Sequence, residues 1–266
     1  LPQFVWHFRG SCWNSMGIPE VAVEFYGEAA RINPRNERFK GVYLMLLKKT
    51  NFQQAQKIAF EVLAQPEVHD LTLVVYAADV EATSINECCQ EDGNEKTLER
   101  TRRLRDILEM VMQRLLAGEV QSHGDAVVGM TGMLLSSCYV TLGMNEDAFR
   151  LLTFLIDRDS QNPLLYAARG KLNYPNSDET IQDLIRSVDL GIPVNWPFVW
   201  IATYYMEKGQ YSDVRKTCEA AFTRQLVPRI HSELLELLAI AEASSGASEQ
   251  KVRDLFEQAI RTDIRN

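Results

Sequence analysis

The sequence predicts an all-α protein built as a solenoid of about seven helical hairpins, and three observations support this fold class. Apolar residues recur at helical spacings along nearly the whole chain, and similar sets of bulky and small residues return at a near-fixed period. No stretch of useful length alternates apolar and polar residues as a half-buried strand does. Prolines also fall near the predicted hairpin junctions, where the residue before a proline leaves helical geometry. These are Pro34, Pro66, Pro163, Pro193 and Pro228.

The first hairpin has the clearest pattern, in which bulky and small residues alternate at spacings that suit two short helices packed face to face. The pattern consists of Trp6, Gly10, Trp13, Ala22, Tyr26, Ala29 and Pro34. Small residues at Gly10 and Ala22 allow the helix axes to approach toward the lower limit of roughly 8–10 Å, while the aromatic rings fill the flanking space. We therefore expect Gly10 to face Ala22 at the tightest helix crossing.

This spacing resembles the tetratricopeptide repeat, a helix–turn–helix unit of about 34 residues. The family pattern runs aromatic, glycine, aromatic, then alanine, aromatic, alanine and proline, and the stretch from Trp6 to Pro34 has a matching residue at each place. The turn Lys208-Gly209-Gln210-Tyr211 is similar to the family's Gly-x-Tyr connection. The resemblance covers most of the chain and implies a right-handed superhelix of antiparallel hairpins.

We predict a single repeat domain over residues 1–266, divided into seven units. The units span about 3–35, 36–68, 69–120, 124–160, 161–193, 194–227 and 228–266. The third unit is irregular because its predicted helices, His69 to Gln90 and Asn94 to Ala117, are too long for the repeat. The fifth unit is one residue short in its Asn173–Ser177 turn, and Gly143 is the predicted turn of the fourth.

The composition favours protein partners. Of the 266 residues 46% are apolar, which can fill a core, and the formal net charge is −8. Surfaces that bind nucleic acid or anionic membranes usually carry an excess of basic residues, and no apolar run approaches the roughly 20 residues of a membrane span. The basic cluster within 100–105 is interleaved with carboxylates, which favours a solvated helix face over an RNA-binding patch. We therefore expect a soluble protein without nucleic-acid contact or membrane insertion.

The cysteines indicate neither a disulfide framework nor a zinc site. Cys12, Cys88, Cys89, Cys138 and Cys218 form an odd set without CxxC spacing, and we expect most of them to be buried free thiols. Free thiols and the lack of a visible signal peptide favour a cytoplasmic location. Because the chain begins with a residue other than Met and the first repeat starts almost at once, we expect a domain of a longer protein or a processed product.

No group of residues predicts an enzyme, a cofactor site or a metal site. The histidines His7, His69, His123 and His231 stand apart, without HxxxH or HExxH spacing, and no P-loop, GxGxxG or GxSxG motif occurs. The Gly-rich stretch 129–132 lies in a helix-like run, where close helix packing explains it better than phosphate binding. The sequence therefore predicts no catalytic residue and no cofactor.

An array of this kind curves, and the first helices of successive hairpins line its concave face, which is the candidate binding groove. Taking the helix faces left over after the packing positions are assigned, we predict a mostly neutral and apolar groove. Its residues are Phe4, His7, Ser11, Lys40, Leu44, Met130, Met133, Ser137, Lys171, Val199, Thr203 and Met206, with Trp196 and Trp200 at its edge. The methionines suit an irregular apolar ligand because their side chains are flexible and polarizable, and core filling is the alternative for each.

Some members of the family hold an acidic chaperone tail through a clamp of Lys, Asn and Arg side chains. The matching places here carry His7 and Ser11 on the first hairpin and Gly41 on the second, so the resemblance does not carry the clamp. The leading functional hypothesis is a non-enzymatic scaffold whose groove binds a peptide or helix of another protein. The alternative is a structural module that packs against other domains of a longer chain or self-associates.

Overall fold

The computed structural model describes residues 2–88, 94–118, 124–172 and 178–263. Within these ranges the chain forms fourteen α-helices and one short 3-10 turn, and no strand occurs. The helices are α1 Pro2–Ser15, α2 Pro19–Ile32, α3 Glu37–Thr50, α4 Phe52–Ala64, α5 Leu71–Cys88, α6 Asn94–Leu116, α7 Gly124–Thr141, α8 Asn145–Arg158, α9 Pro163–Leu172, α10 Asp178–Asp189, α11 Trp196–Glu207, α12 Tyr211–Phe222, α13 Pro228–Ser244 and α14 Glu249–Thr262. The predicted all-α class is confirmed.

Short connections join the helices into pairs, and glycine allows the sharpest turns between them. Gly143 has a φ of 77° and Gly209 a φ of 68°, a left-handed conformation that costs glycine little. The amide of Met144 donates to the carbonyl of Tyr139 at 2.8 Å, which closes the end of α7 as a helix-terminating motif. Both turns lie where the sequence predicts them. The predicted Asn173–Ser177 turn lies outside the described residues.

The contacts divide the chain into two compact units, Leu1–Leu151 and Leu152–Asn266, and the boundary falls within α8. In unit 1, α3 packs against α5 and α5 packs against α7, so first helices of successive pairs contact each other. In unit 2, α11 packs against α13 in the same way. This is the contact pattern of a helical repeat, and the single domain over 1–266 stays a prediction.

The first hairpin closes around Gly10, and the ring of Tyr26 is its nearest neighbour. A Cβ atom built on Gly10 would lie 2.8 Å from two ring carbons of Tyr26, which is four residues after the predicted neighbour Ala22 on α2. Ala22 and Tyr26 are both buried in the cluster that joins α2 to α3. The space left by the missing side chain of Gly10 is therefore filled by an aromatic ring.

The centre of unit 1 is α5, which contacts α3, α4, α6 and α7. Its buried side chains surround the helix axis instead of following one stripe, because neighbours cover it on several sides. They are Leu71, Leu73, Val74, Val75, Ala77, Ala78, Val80, Ser84 and Ile85. The irregular third pair is thus a central element, and α6 is confirmed as a long helix of 23 residues.

The arginines of α6 are largely engaged within the protein. Arg100 pairs with Glu81 of α5 at 3.0 Å, and Arg103 donates to the carbonyl of Leu63 at 3.3 Å. Arg105 pairs with Asp106 at 2.5 Å and lies 3.8 Å from Glu109. These contacts support the structural interpretation of the basic cluster.

Two ion-pair networks join the helices of unit 2. Arg169 of α9 makes a bidentate pair with Asp183 of α10, at 2.7 and 2.8 Å. Glu242 of α13, whose side chain is 7% exposed, accepts from Arg215 of α12 and Lys251 of α14, each at 2.8 Å. The second network therefore ties three consecutive helices together.

Candidate functional site

Aromatic side chains of α1, α2 and α3 form a cluster in unit 1. The ring of Phe39 on α3 lies 5.0 Å from His7 and 6.0 Å from Phe4, both on α1, and His7 also packs edge-on against Tyr26 at 5.2 Å. Burial lowers the pKa of His7, and the positive charge of Arg38 lowers it further. Two of the predicted groove residues, Phe4 and His7, are thus brought together, and Phe4 stays 57% exposed.

A cleft of about 1290 Å³ lies next to this cluster, where the first parts of α3, α5 and α7 meet. We call it the α3–α5–α7 cleft. Its apolar lining residues are Val42, Val68, Leu73, Val75, Tyr76, Val127 and Met130. Its polar lining residues are Asn33, Arg35, Asn36, Glu37, Arg38, Asp70 and Thr72, and Pro34 and Gly41 complete the lining. The cleft therefore combines an apolar surface with charged and amide groups.

Gly41 and Tyr76 set the shape of this cleft. A Cβ atom on Gly41 would lie 3.0 Å from a ring carbon of Tyr76, so the ring lies directly against the backbone of α3. Tyr76 is half-buried, and its ring forms part of the cleft surface. A side chain at position 41 would push the ring aside, since that distance is shorter than ordinary carbon contacts.

The two carboxylates of the cleft are already engaged by protein donors. Glu37 lies 2.6 Å from Nδ1 of His69 and also accepts a short hydrogen bond from the amide of Asp70. Burial alone would raise the pKa of Glu37, but these two partners outweigh it and lower the pKa. Asp70 in turn accepts from the amide of Thr72 at 2.9 Å, which caps the start of α5.

The two arginines of the cleft are in a different situation. Both Arg35 and Arg38 are exposed, and neither makes an ion pair or a side-chain hydrogen bond with another described residue. The side chain of Asn36, at the start of α3, makes no capping hydrogen bond. The α3–α5–α7 cleft therefore presents two guanidinium groups whose donors remain available to a ligand.

Three predicted groove positions in unit 1 need separate description. Met130 is half-buried and lines the α3–α5–α7 cleft, and its membership of a binding groove stays a prediction. Lys40 instead lines a second cleft of about 980 Å³ formed with α2 and α4, on another face of α3. Leu44 is fully buried at 0% exposure, so its prediction as a groove residue is wrong and it belongs to the core. Successive helix residues turn by about 100°, and this rotation separates these side chains.

The remaining predicted positions of unit 1 lie on α1 and α7. Ser11 is half-buried and lies close enough to Tyr26 to lower the pKa of the tyrosine, against the larger effect of burial, which raises it. Met133 is half-buried, and Ser137 is exposed. All three lie on first helices, and their membership of a binding groove stays a prediction.

In unit 2 the predicted positions are partly engaged in packing. Val199 and Met206 pack against the buried cluster of α11, α12 and α13, and the hydroxyl of Thr203 donates to the carbonyl of Val199 at 2.8 Å. Trp200 packs edge-on against Trp196, with ring centroids 4.9 Å apart. Lys171 is exposed. The contacts of Val199, Met206 and Trp200 therefore show that these side chains contribute to the packing of unit 2.

Arg35, Arg38 and Tyr76 are not among the positions predicted from the sequence. Arg38, Gly41 and Met45 follow one another at spacings of three and four residues on α3, which places them on one face of the helix. Met45 is 45% exposed. This face of α3 differs from the predicted face with Lys40 and Leu44. Its spacing is the sequence signal that could have identified Arg38.

Other chemistry is sparse in the described part of the chain. No group of three His, Cys, Asp or Glu residues there could hold a metal ion, and no described helix is both long and apolar enough to span a membrane. Burial raises the pKa of Cys138 and that of Cys218 to about 12, while Cys12 is exposed. Cys89 and His123 lie outside the described residues.

Comparison with known proteins gives the fold. No family model matches this chain, and no curated protein matches it. A solved structure of a tetratricopeptide-repeat protein from Thermus thermophilus is similar, with a TM-score of 0.60 and 12% identity over 77% of this chain and 99% of that one. The structure of MamA gives a TM-score of 0.49 and 16% identity over 65% of this chain and 96% of that one. The structure of a tetratricopeptide repeat protein from Parabacteroides merdae gives a TM-score of 0.39 and 13% identity over 97% of this chain and 99% of that one.

The Thermus structure, the helix pairs and the contacts between first helices agree with the pattern that runs from Trp6 to Pro34 in the sequence. The chain therefore has the fold of a tetratricopeptide-like helical-repeat protein.

Proposed function

We propose that this protein is a non-enzymatic interaction scaffold that binds a peptide or helix of another protein on the first helices of its hairpins, with the α3–α5–α7 cleft at the centre of the site. The observation that carries the proposal is this cleft of about 1290 Å³, lined by three first helices. Pockets that bind ligands measure about 300–1,000 Å³ and combine apolar surface with a few polar groups. A cleft at or above this range has room for several side chains of a peptide.

The chemistry of the lining supports a peptide. Val42, Tyr76 and Met130 offer apolar surface to side chains, and methionine adapts to irregular shapes. The amides of Asn33 and Asn36 can each donate and accept, which is what an extended peptide backbone requires. The contact energy of such interfaces is concentrated in a few central residues, so single substitutions can test it.

The test uses Met130→Glu, which replaces an apolar lining residue of the cleft by a carboxylate. Proteins captured from the native cell by the wild-type chain are identified by mass spectrometry, and a purified partner is then titrated. We expect Met130→Glu to weaken its binding roughly tenfold or more, because the new carboxylate must be desolvated without a partner. Met16→Glu is the matched control, since Met16 is 60% exposed and does not line the cleft.

Thermal unfolding of both variants separates binding from folding. If Met130→Glu unfolds the protein, Val68→Glu replaces it, because Val68 lines the cleft and is 64% exposed. Capture of the same partner by wild type, Met130→Glu and Val68→Glu with equal affinity would place the interaction outside this cleft.

A second candidate function is self-association, or packing against other domains of a longer chain. The observation in its favour is the exposed apolar face of α1, where Phe4, Val5 and Phe8 are 57%, 52% and 69% exposed. Exposed apolar residues that lie together on one helix can form an interaction surface. Light scattering of the purified chain decides: a dimer that Phe8→Glu converts to a monomer supports this function, and a wild-type monomer at all concentrations contradicts self-association.

A further inference from the structure

We infer that the segment bound in the α3–α5–α7 cleft carries an acidic side chain next to apolar ones, with the carboxylate held by Arg35 and Arg38. This inference rests on the proposed function and names the chemical class of its ligand. It also departs from the neutral groove that the sequence predicts.

The charged groups of the cleft differ in whether other groups of the protein already engage them. The cleft contains two acids and two arginines, so its formal charges cancel, but the two pairs are not equivalent. Glu37 accepts from His69 and from the amide of Asp70, and Asp70 accepts from the amide of Thr72. The acids are therefore engaged by the protein, whereas the donors of the two guanidinium groups face no described acceptor.

The guanidinium group of arginine is well suited to hold a carboxylate. An arginine presents a planar fork of N–H donors that matches the two oxygens of a carboxylate, and such charged hydrogen bonds are about twice as strong as neutral ones. Exposed ion pairs on an open surface contribute only about 0–1 kcal/mol, because water screens them. In a cleft that also has apolar lining residues, a bound ligand would displace this water, and the carboxylate pairing would become stronger.

The neighbouring groups fix what else the ligand must contain. Tyr76 and Met130 lie in the same cleft as the arginines, and the Arg38 charge is close enough to lower the pKa of His7 on α1. A ligand that fills this cleft needs an apolar side chain to cover Tyr76 and Met130 and a carboxylate to pair with the arginines. A lone small anion would leave the apolar lining residues uncovered, so we favour a peptide segment.

The test selects ligands without assuming a partner. A phage-displayed library of random short linear peptides is panned against the full chain, and enriched sequences are synthesised with an amidated C-terminus, so any carboxylate belongs to a side chain. We expect enrichment of Asp or Glu beside large apolar residues. Replacing that acid by its amide should weaken binding roughly tenfold or more, as the loss of a charged hydrogen-bond pair does.

The matching protein variant is Arg35→Gln/Arg38→Gln. In this variant the acidic and amide peptides should bind equally, because a double-mutant cycle removes the coupling between the carboxylate and the arginines. Lys49→Gln/Lys57→Gln is the control: it changes the net charge by the same amount, on exposed residues of α3 and α4 that do not line the cleft. This control should keep the tenfold preference. Arg35→Lys/Arg38→Lys, which keeps the charge without the fork, should give an intermediate preference.

The outcomes separate the two proposals. Enriched peptides without acidic residues that lose binding in Met130→Glu would overturn the ligand class and leave the cleft as a peptide site. Equal loss of the acid preference in the lysine control and in the arginine variant would assign the effect to net charge and overturn the inference. No enrichment of any peptide would overturn the inferred ligand class. Peptides that bind Met130→Glu and the arginine variant as well as wild type would overturn both proposals.

Discussion

Gly10 shows at the scale of one residue how a missing side chain sets a helix crossing. Its position is buried, and a Cβ atom there would lie only 2.8 Å from the ring of Tyr26. The Tyr26 ring is itself 4% exposed, so it has little room to move away. The glycine is therefore required by packing, and its backbone is helical.

We expect Gly10→Val to destabilise the protein by roughly 1–3 kcal/mol, because branched carbons must overlap the Tyr26 ring or push α1 away from α2. Thermal and urea unfolding measure the effect. Cys12→Val is the matched control, since it places the same branched side chain on an exposed position of α1. An unchanged unfolding midpoint for Gly10→Val would show that the two helices do not pack in this register.

Leu44 and Lys40 show at the same scale why the groove was harder to predict than the helices. Both lie on α3 as expected, yet Leu44 is buried and Lys40 lines the second cleft. The helical period was correct, but the rotation of α3 about its axis depends on the neighbours that pack on it. A register error of one residue turns a side chain by about 100°, which is enough to move it from the core to the surface.

At the scale of elements, Glu242 joins three helices of unit 2. Its hydrogen bond with Lys251 of α14 lowers its pKa, burial opposes this effect, and Arg215 of α12 lowers the pKa further. A group with a lowered pKa in the folded state stabilises the protein above its unfolded pKa. That contribution is lost as the pH falls through the folded pKa. The network should therefore hold α12, α13 and α14 together at neutral pH and weaken in acid.

We expect Glu242→Gln to lower the free energy of unfolding by roughly 1–3 kcal/mol at pH 7, because both cations lose their anionic partner and the amide that replaces it keeps a single acceptor oxygen. The difference from wild type should shrink as the pH falls below about 4.5. Urea unfolding at several pH values measures both effects. Glu249→Gln is the control, because the Glu249 pair with Arg253 is 87% exposed on the acidic side and should contribute less than about 1 kcal/mol. A difference that stays constant between pH 7 and pH 3 would contradict the assigned ionic role.

At the scale of the molecule, the division into two compact units predicts which helices a destabilising substitution affects. Helical repeats are stabilised by each hairpin and by the contacts with its neighbours, so a local defect acts mainly on adjacent hairpins. Gly10 lies in the first pair of unit 1, and Glu242 lies in the last pair of unit 2. Each variant is therefore a control for the other.

Hydrogen exchange followed by mass spectrometry should show this division. In Gly10→Val we expect faster amide exchange in peptides from α1 to α4, and wild-type exchange in peptides from α11 to α14. In Glu242→Gln the pattern should be reversed, because local opening follows local stability. Faster exchange throughout the chain in either variant would mean that the protein unfolds as one cooperative body.

The sequence by itself determined the helices of this protein, because helical periodicity, glycine turns and prolines at junctions are local properties. The pattern from Trp6 to Pro34 and the turns at Gly143 and Gly209 were sufficient to predict the all-α repeat fold. Local signals also placed Met130 on a first helix.

The tertiary structure alone decided which faces of those helices meet. It placed Tyr26 against Gly10, buried Leu44, and brought Arg38 of α3 into one cleft with Tyr76 of α5. These choices depend on the rotation and spacing of helices distant in sequence, which are set by the packing of whole side chains. No local pattern encodes them, because a helix has the same period whichever of its faces is buried.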